Sequence, residues 1–107
     1  MNTESAVLAL RALSQNHRLA AFRALVQAGP DGLSVGALRA RLELPAATLS
    51  AHLNRLRAAG LVTDRRDGRT IHVSAHFDHM DALLGFLTEN CCAGATCSTS
   101  YPSQKSR

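Results

Sequence analysis

The sequence predicts a mainly α fold with a small β wing: a winged helix-turn-helix of about five helices and a two-stranded β-hairpin, forming a two-fold homodimer. A short helix over residues 35–42 is followed, after only two residues, by an amphipathic helix over 45–59. This arrangement is typical of a helix-turn-helix. A β-prone stretch with Asp67-Gly68 near its centre comes next. That dipeptide favours a tight hairpin turn, so this stretch would form the wing.

The helix over 45–59 is predicted to read DNA. Leu49, Leu53 and Leu56 recur at helical spacing and would face the core. Pro45 suits a first helical turn and Gly60 suits a helix end. The opposite face is small and polar, which lets a helix approach the DNA major groove closely. The candidate DNA-binding residues on this helix are Ala47, Thr48, Ser50, Ala51, His52, Asn54 and Arg55.

The segments on either side of this helix support that interpretation. Ser34 is a good N-cap for the shorter helix that precedes it. After it, Val62 begins the first strand of the hairpin, and residues 70–73 form the return strand. We expect three wing arginines to hold the DNA backbone or the minor groove. They are Arg65, Arg66 and Arg69. Without the hairpin and these arginines, each helix alone would indicate an ordinary core helix.

The net charge of +4 is concentrated on this unit. Between Arg39 and Arg69 the chain has seven arginines and three carboxylates, whereas the rest of the chain has five basic and five acidic residues. An evenly solvated surface would spread its charge. Concentrated positive charge is the electrostatic signature of a nucleic-acid binder, so we expect double-stranded operator DNA as a partner.

Three further helices are predicted outside the DNA-reading unit. The first spans residues 3–14, and the second spans 17–29 with Asn16 as its cap. Residues 31–33 are expected to be a short connection. The last helix, over 76–90, is strongly amphipathic. A small winged helix does not need both terminal helices for its core, so their apolar surface is expected to pair with a second copy.

The candidate interface residues on the terminal helices are apolar: Val7, Leu8, Leu10, Phe77, Met80, Leu84 and Leu87. Alternatively, Leu8, Leu84 and Leu87 complete the core of the single chain. We expect residues 1–97 to form one domain and the polar residues 98–107 to form a flexible tail. No apolar run approaches membrane-spanning length and no secretion signal is present, which predicts a cytoplasmic protein.

All three cysteines lie within seven residues, at Cys91, Cys92 and Cys97. In a reducing cytoplasm a structural disulfide is not expected, and adjacent cysteines bridge only with strain. The three cysteines could therefore bind a metal or metalloid, sense redox state, or have no function. Three sulfurs suit trivalent arsenic or antimony, because zinc usually takes four ligands. A zinc site at these cysteines would have to recruit a histidine, a carboxylate or the other subunit. Separately, His76 and His79 with Asp78 and Asp81 could form part of a metal site at the last helix, paired across a dimer.

The chain resembles the ArsR family of metalloregulatory repressors over nearly its whole length. The resemblance rests on an S-x-H-L-x-x-L-x-x-x-G-L-V pattern from Ser50 to Val62, followed by an R-x-G-R wing from Arg66 to Arg69. It implies a dimer that binds its operator without inducer and releases it when a metal or metalloid binds. The family's best-known arsenic site, a Cys-x-Cys pair before the recognition helix, is missing from residues 33–42.

Some arsenic-responsive members of the family instead have vicinal cysteines at the end of the last helix and a third shortly after. The resemblance therefore implies that Cys91, Cys92 and Cys97 bind As(III) or Sb(III) as inducer, in an arsenite-responsive repressor. The alternatives are a zinc-, cadmium- or thiol-redox-responsive repressor of the same fold, and a ligand-independent DNA-binding or interaction module. An enzyme is not expected, because no cysteine is paired with a positioned base.

Overall fold

The computed structural model describes residues 1–94, and over this range it is a winged helix-turn-helix. The predicted fold class is confirmed, with five α-helices and one small antiparallel sheet among the described residues. In chain order the elements are α1 (Thr3–Leu13), α2 (Asn16–Ala28), β1 (Leu33–Ser34), α3 (Val35–Leu42), α4 (Ala46–Ala58), β2 (Val62–Asp67), β3 (Thr70–Ala75), α5 (Phe77–Leu87) and a 3-10 turn (Cys91–Gly94). No helix within residues 1–94 is long and apolar enough to cross a membrane.

Local side-chain chemistry explains how these helices begin. The Ser34 hydroxyl accepts a hydrogen bond from the Ala37 N–H at 3.0 Å, which confirms it as the N-cap of α3. Asn16 is not a cap, because Gln15 precedes it in extended conformation and its side chain accepts from the Arg18 N–H at 2.9 Å. The side chain of Gln15 thus binds a free backbone N–H of the first helical turn, which is the capping role that we predicted for Asn16.

The sheet has the strand order β1-β3-β2, with both pairings antiparallel. The sequence predicted a connection over residues 31–33, but Leu33 forms β1 together with Ser34. The strand was missed because two residues are too few to show the alternation of buried and exposed side chains that marks a strand. The β2–β3 register runs from Val62 opposite Ala75 to Asp67 opposite Thr70. Gly68 and Arg69 therefore form the two-residue hairpin loop, and Gly68 has the positive φ of +65° that such turns require.

The core lies beneath the recognition helix α4. Leu49, Leu53 and Leu56 are at most 1% exposed, as their spacing predicts. They pack in one cluster with buried side chains from α1, α2, α3, the sheet and α5. Burial of each leucine is worth about 1.5–3 kcal/mol. The inner face of α4 is therefore fixed by packing, and its outer face is left for another surface.

One apolar face of the single chain remains uncovered. The exposed large side chains on α1 and α5 are Val7, Leu8, Leu10, Leu84 and Leu87, which are 39–55% exposed. Phe77 and Met80, also predicted to lie in the interface, are partly buried against the chain's own core. The helices α1 and α5 pack against each other, and both expose large apolar side chains that are suited to burial against a second copy.

Candidate nucleic-acid interface

A narrow stripe on α4 points away from the core. Ala47, Ala51, Asn54 and Ala58 follow the i, i+4, i+7, i+11 spacing of one helix face, and all four are exposed. Three of them have only a methyl side chain, so the helix backbone can approach another surface closely. Asn54 is the single hydrogen-bonding side chain of this stripe.

The side of α4 nearest the wing forms an open cleft. Ser50 and Arg57 of α4 line it together with Arg69 and Thr70 of the wing and with the start of α3. Its volume is about 590 Å³. Hydroxyl and guanidinium donors thus surround a groove between the recognition helix and the hairpin, an arrangement suited to phosphate.

Arg57 joins the recognition helix to the wing. Its Nε lies 3.1 Å from Oδ1 and 2.9 Å from Oδ2 of Asp64 on β2. Its Nη1 donates to Asn54 Oδ1 at 2.9 Å. One guanidinium therefore connects the exposed stripe of α4 with the first wing strand.

The opposite side of α4 contacts the α1–α2 junction through His52. Arg18 donates from Nε to the Ala12 carbonyl at 2.7 Å and from Nη1 toward His52 Nδ1 at 3.4 Å. The His17 and His52 rings have centroids 5.6 Å apart. Partial burial, followed by the charges of Arg18, His17 and Arg55, lowers the pKa of His52. The sequence gives no signal for this cluster, because Arg18 and His52 are 34 residues apart.

The wing arginines are all exposed, but they do not share one face. Successive side chains of a strand point to opposite faces. Arg66 therefore lies on the same face of β2 as Asp64, which contacts α4, whereas Arg65 lies on the other face. Arg69 occupies the hairpin loop. Arg66 and Arg69 are thus the wing arginines nearest the recognition-helix side.

Two of the three cysteines lie within the described residues. Cys91 and Cys92 are exposed in the 3-10 turn that follows α5, and their sulfurs are 3.9 Å apart. Cys92 has a left-handed backbone, with φ of +57°. Cys97 lies outside the described residues, and within residues 1–94 no group of three metal-ligating side chains comes together.

His76 and His79 lie at the start of α5 and pack against the end of the recognition helix. Their rings are nearly parallel, with centroids 5.8 Å apart. His76 Nδ1 is 3.1 Å from the Gly60 carbonyl. A Cβ on Gly60 would lie 3.2 Å from Nε2 of His79. The two histidines thus connect α5 with the residue that ends the recognition helix.

Comparison with known proteins supports the same interpretation. Residues 13–65 match a family model described as a helix-turn-helix domain. The chain is 38% identical to the nodulation protein NolR of Rhizobium meliloti over 75% of its own length, but it covers only 63% of NolR. It is 35% identical to the transcriptional activator HlyU of Vibrio cholerae, covering 80% of this chain and 77% of HlyU.

Solved structures agree with these relatives. The HlyU structure from Vibrio cholerae superposes with a TM-score of 0.64 at 33% identity, covering 86% of this chain and 99% of HlyU; another HlyU structure is of the reduced protein. An ArsR-like transcriptional regulator from Rhodococcus sp. RHA1 gives a TM-score of 0.71 at 26% identity, covering 85% and 82% of the two chains. HlyU is named a transcriptional activator and the Rhodococcus protein an ArsR-like transcriptional regulator. The chain belongs to the ArsR family of winged helix-turn-helix transcriptional regulators.

Proposed function

We propose that this chain is a homodimeric repressor that binds operator DNA and releases it when trivalent arsenic or antimony binds its C-terminal cysteines. The observation that carries the inducer assignment is the pair of vicinal sulfurs, Cys91 and Cys92, at 3.9 Å directly after α5. The DNA-binding part is supported by the exposed stripe of α4, the cleft beside it and the wing arginines.

The dimer is supported by the exposed apolar surface of α1 and α5. A two-fold pair joined by these helices would present two recognition helices to the same side of a duplex. Their half-sites would then lie about 34 Å apart, or a multiple of that, in an imperfect inverted repeat. Ala47 and Ala51 would meet thymine methyl groups, and Thr48, Ser50 and Asn54 would reach bases or nearby phosphates.

The chemistry of the donor set fits a soft ion. Two thiolate bonds of about 2.3 Å to one centre span at most about 4.6 Å, and the Cys91–Cys92 separation of 3.9 Å is within that reach. Cys97 would supply the third sulfur of a pyramidal arsenic site. Because the thiolate is the form of cysteine that binds such an ion, the proposed site requires the reduced protein.

The position of α5 supports a route from the inducer to the DNA. This helix carries exposed leucines of the proposed dimer interface, precedes the cysteines, and contacts Gly60 through His76 and His79. Reordering the residues after α5 would shift the two subunits and the ends of both recognition helices. Coupling of about 1–3 kcal/mol, or about 5–150-fold in DNA affinity, is typical of such linkage.

A second candidate is a regulator that responds to thiol oxidation. The exposure of Cys91 and Cys92, with sulfurs 3.9 Å apart, favours it, and one structure of the relative HlyU is of the reduced protein. Neither NolR nor HlyU is named for a metal or metalloid, and HlyU is named an activator. Transcription from the regulated promoter, with and without this chain, tests the proposed direction, since repression predicts more transcript in its absence.

The deciding experiment is fluorescence anisotropy of reduced protein with its own upstream DNA. Arsenite, antimonite, zinc, cadmium and a mild thiol oxidant are added separately. We expect arsenite and antimonite to release the DNA, and Cys91→Ser and Cys92→Ser each to abolish that release without changing affinity in the absence of inducer. Release by zinc or cadmium alone would overturn the inducer assignment in favour of a site using the histidines. Release by oxidant alone would favour the redox candidate, and DNA binding insensitive to every addition would indicate a ligand-independent module.

A further inference from the structure

Asn54, the single polar side chain on the outer stripe of α4, is held in orientation by a neighbouring arginine, Arg57. Asn54 accepts a hydrogen bond from Arg57 at 2.9 Å, and Arg57 is in turn held by the Asp64 carboxylate at 2.9 Å. The three residues form a chain that begins on the recognition helix and ends on β2. Ala47, Ala51 and Ala58, the other members of the stripe, have no group that could replace Asn54.

The chemistry of Arg57 determines which end of the Asn54 amide it binds. A guanidinium has only donors, so its partner must be the carbonyl oxygen, Oδ1. The NH₂ group, with two donors, is the end of the amide that stays available. An unrestrained asparagine reads adenine by donating to N7 and accepting from N6 with the same amide. In Asn54 the carbonyl oxygen already accepts from Arg57 at 2.9 Å, which uses one of its two lone pairs and directs that end of the amide toward Arg57.

We propose that Arg57 is a positioning residue that sets base preference through Asn54. With its carbonyl held by Arg57, Asn54 presents its two N–H donors and favours guanine, whose O6 and N7 both accept, over adenine, which has one acceptor, N7, beside the N6 donor. This inference rests on the proposed DNA-binding function and makes it more specific. It assigns Arg57 a role in specificity, although Arg57 itself need not touch a base.

The Arg57–Asp64 pair contributes little to folding stability and partly neutralises a cation. Its side chains are 30% and 39% exposed, and exposed ion pairs are worth about 0–1 kcal/mol. The pair therefore acts mainly on orientation, because it fixes the guanidinium that holds the Asn54 carbonyl.

The test is a base-preference profile, measured by anisotropy on duplexes in which each half-site base pair is changed in turn. Arg57→Met removes the donors to both partners at similar side-chain length. In Arg57→Met we expect discrimination against adenine to fall about tenfold at one half-site position. In Asp64→Asn we expect the same discrimination to fall by a smaller factor. Arg55→Met removes the same charge from the same helix and serves as the matched control; it should weaken all sequences about equally.

Two further measurements separate positioning from a merely structural effect. Asn54→Ala and the double variant Asn54→Ala/Arg57→Met should show the same profile, because Arg57 acts only through Asn54. In the DNA-free protein, the Asn54 side-chain NH₂ signals in NMR should broaden or shift in Arg57→Met and stay unchanged in Arg55→Met. Wild-type profiles in Arg57→Met at every position would overturn the inference while leaving the proposed function intact. Wild-type protein that binds no duplex with sequence preference would overturn both.

Discussion

Two parts of this chain are built in opposite ways: the reading end, which consists of α3, α4 and the wing, and the cysteine end, which is the turn after α5. The recognition helix rests on three leucines that are at most 1% exposed, and side-chain hydrogen bonds hold both its flanks. Cys91 and Cys92 lie exposed in a four-residue turn, with a left-handed backbone at Cys92. The reading surface is therefore preorganised by the core, whereas the proposed sensing site depends on residues with little packing of their own. Ligand binding can reorder such a segment at small cost to the fold.

The largest difference between the two ends should appear in stability. Leu53→Ala leaves a cavity beneath the recognition helix and should lower the free energy of unfolding by about 2–5 kcal/mol. Cys91→Ser changes an exposed side chain and should alter it by less than about 0.5 kcal/mol. Urea unfolding followed by circular dichroism measures both under reducing conditions. Equal losses in the two variants would mean that the cysteine end is part of the packed core.

Next in size is the electrostatic contribution of the wing to DNA affinity. Arg66→Ala combined with Arg69→Ala removes two exposed cations and should lower the slope of log affinity against log salt by about two, at about 0.9 per phosphate contact. Arg23→Ala removes one cation that lies beside Met80 and Leu84, away from the wing, and as the control it should leave the slope unchanged. An unchanged salt dependence in the double variant would remove the wing from the interface.

The smallest expected effect is a pH dependence of folding stability at the reading end. The native pKa of His52 is lowered from its ordinary value of 6.5 by partial burial and then by Arg18, His17 and Arg55. The native state therefore binds this proton less readily than the unfolded chain. The resulting stabilisation is present above pH 6.5 and is lost as the pH falls through the lowered pKa. Urea unfolding at about pH 7.5 and about pH 5 should show a smaller decrease for His52→Asn than for the wild-type chain; equal decreases would assign the effect to other groups.

Short sequence patterns were sufficient to predict α3, α4 and the wing. The Ser34 cap, the leucine spacing of α4 and the glycine of the wing turn each lie within a few residues of the feature they define, and all three elements are confirmed, although the turn is formed by Gly68-Arg69 and not by Asp67-Gly68. The base and inducer contacts assigned from sequence stay predictions. The spatial partners of those residues were harder to predict, because they depend on how distant segments pack.

Contacts between distant segments account for what sequence reasoning missed. Strand β1 is recognisable only through its pairing with β3. The approach of Arg18 to His52 brings together residues from α2 and α4, and the Arg57–Asp64 pair forms only when the wing folds back along the recognition helix. No periodicity in the sequence reports these contacts, since each depends on the tertiary fold.

The most direct test of the proposed coupling between the cysteines and DNA binding is reciprocal linkage between arsenite and DNA. Arsenite is titrated into the reduced protein alone and into the protein saturated with its upstream DNA, with the sulfur-to-arsenic absorbance as the signal. The account predicts that DNA weakens arsenite binding by the same factor, about 5–150-fold, by which arsenite weakens DNA binding. Identical arsenite affinities with and without DNA would show that the cysteines, whatever they bind, do not control the recognition helix.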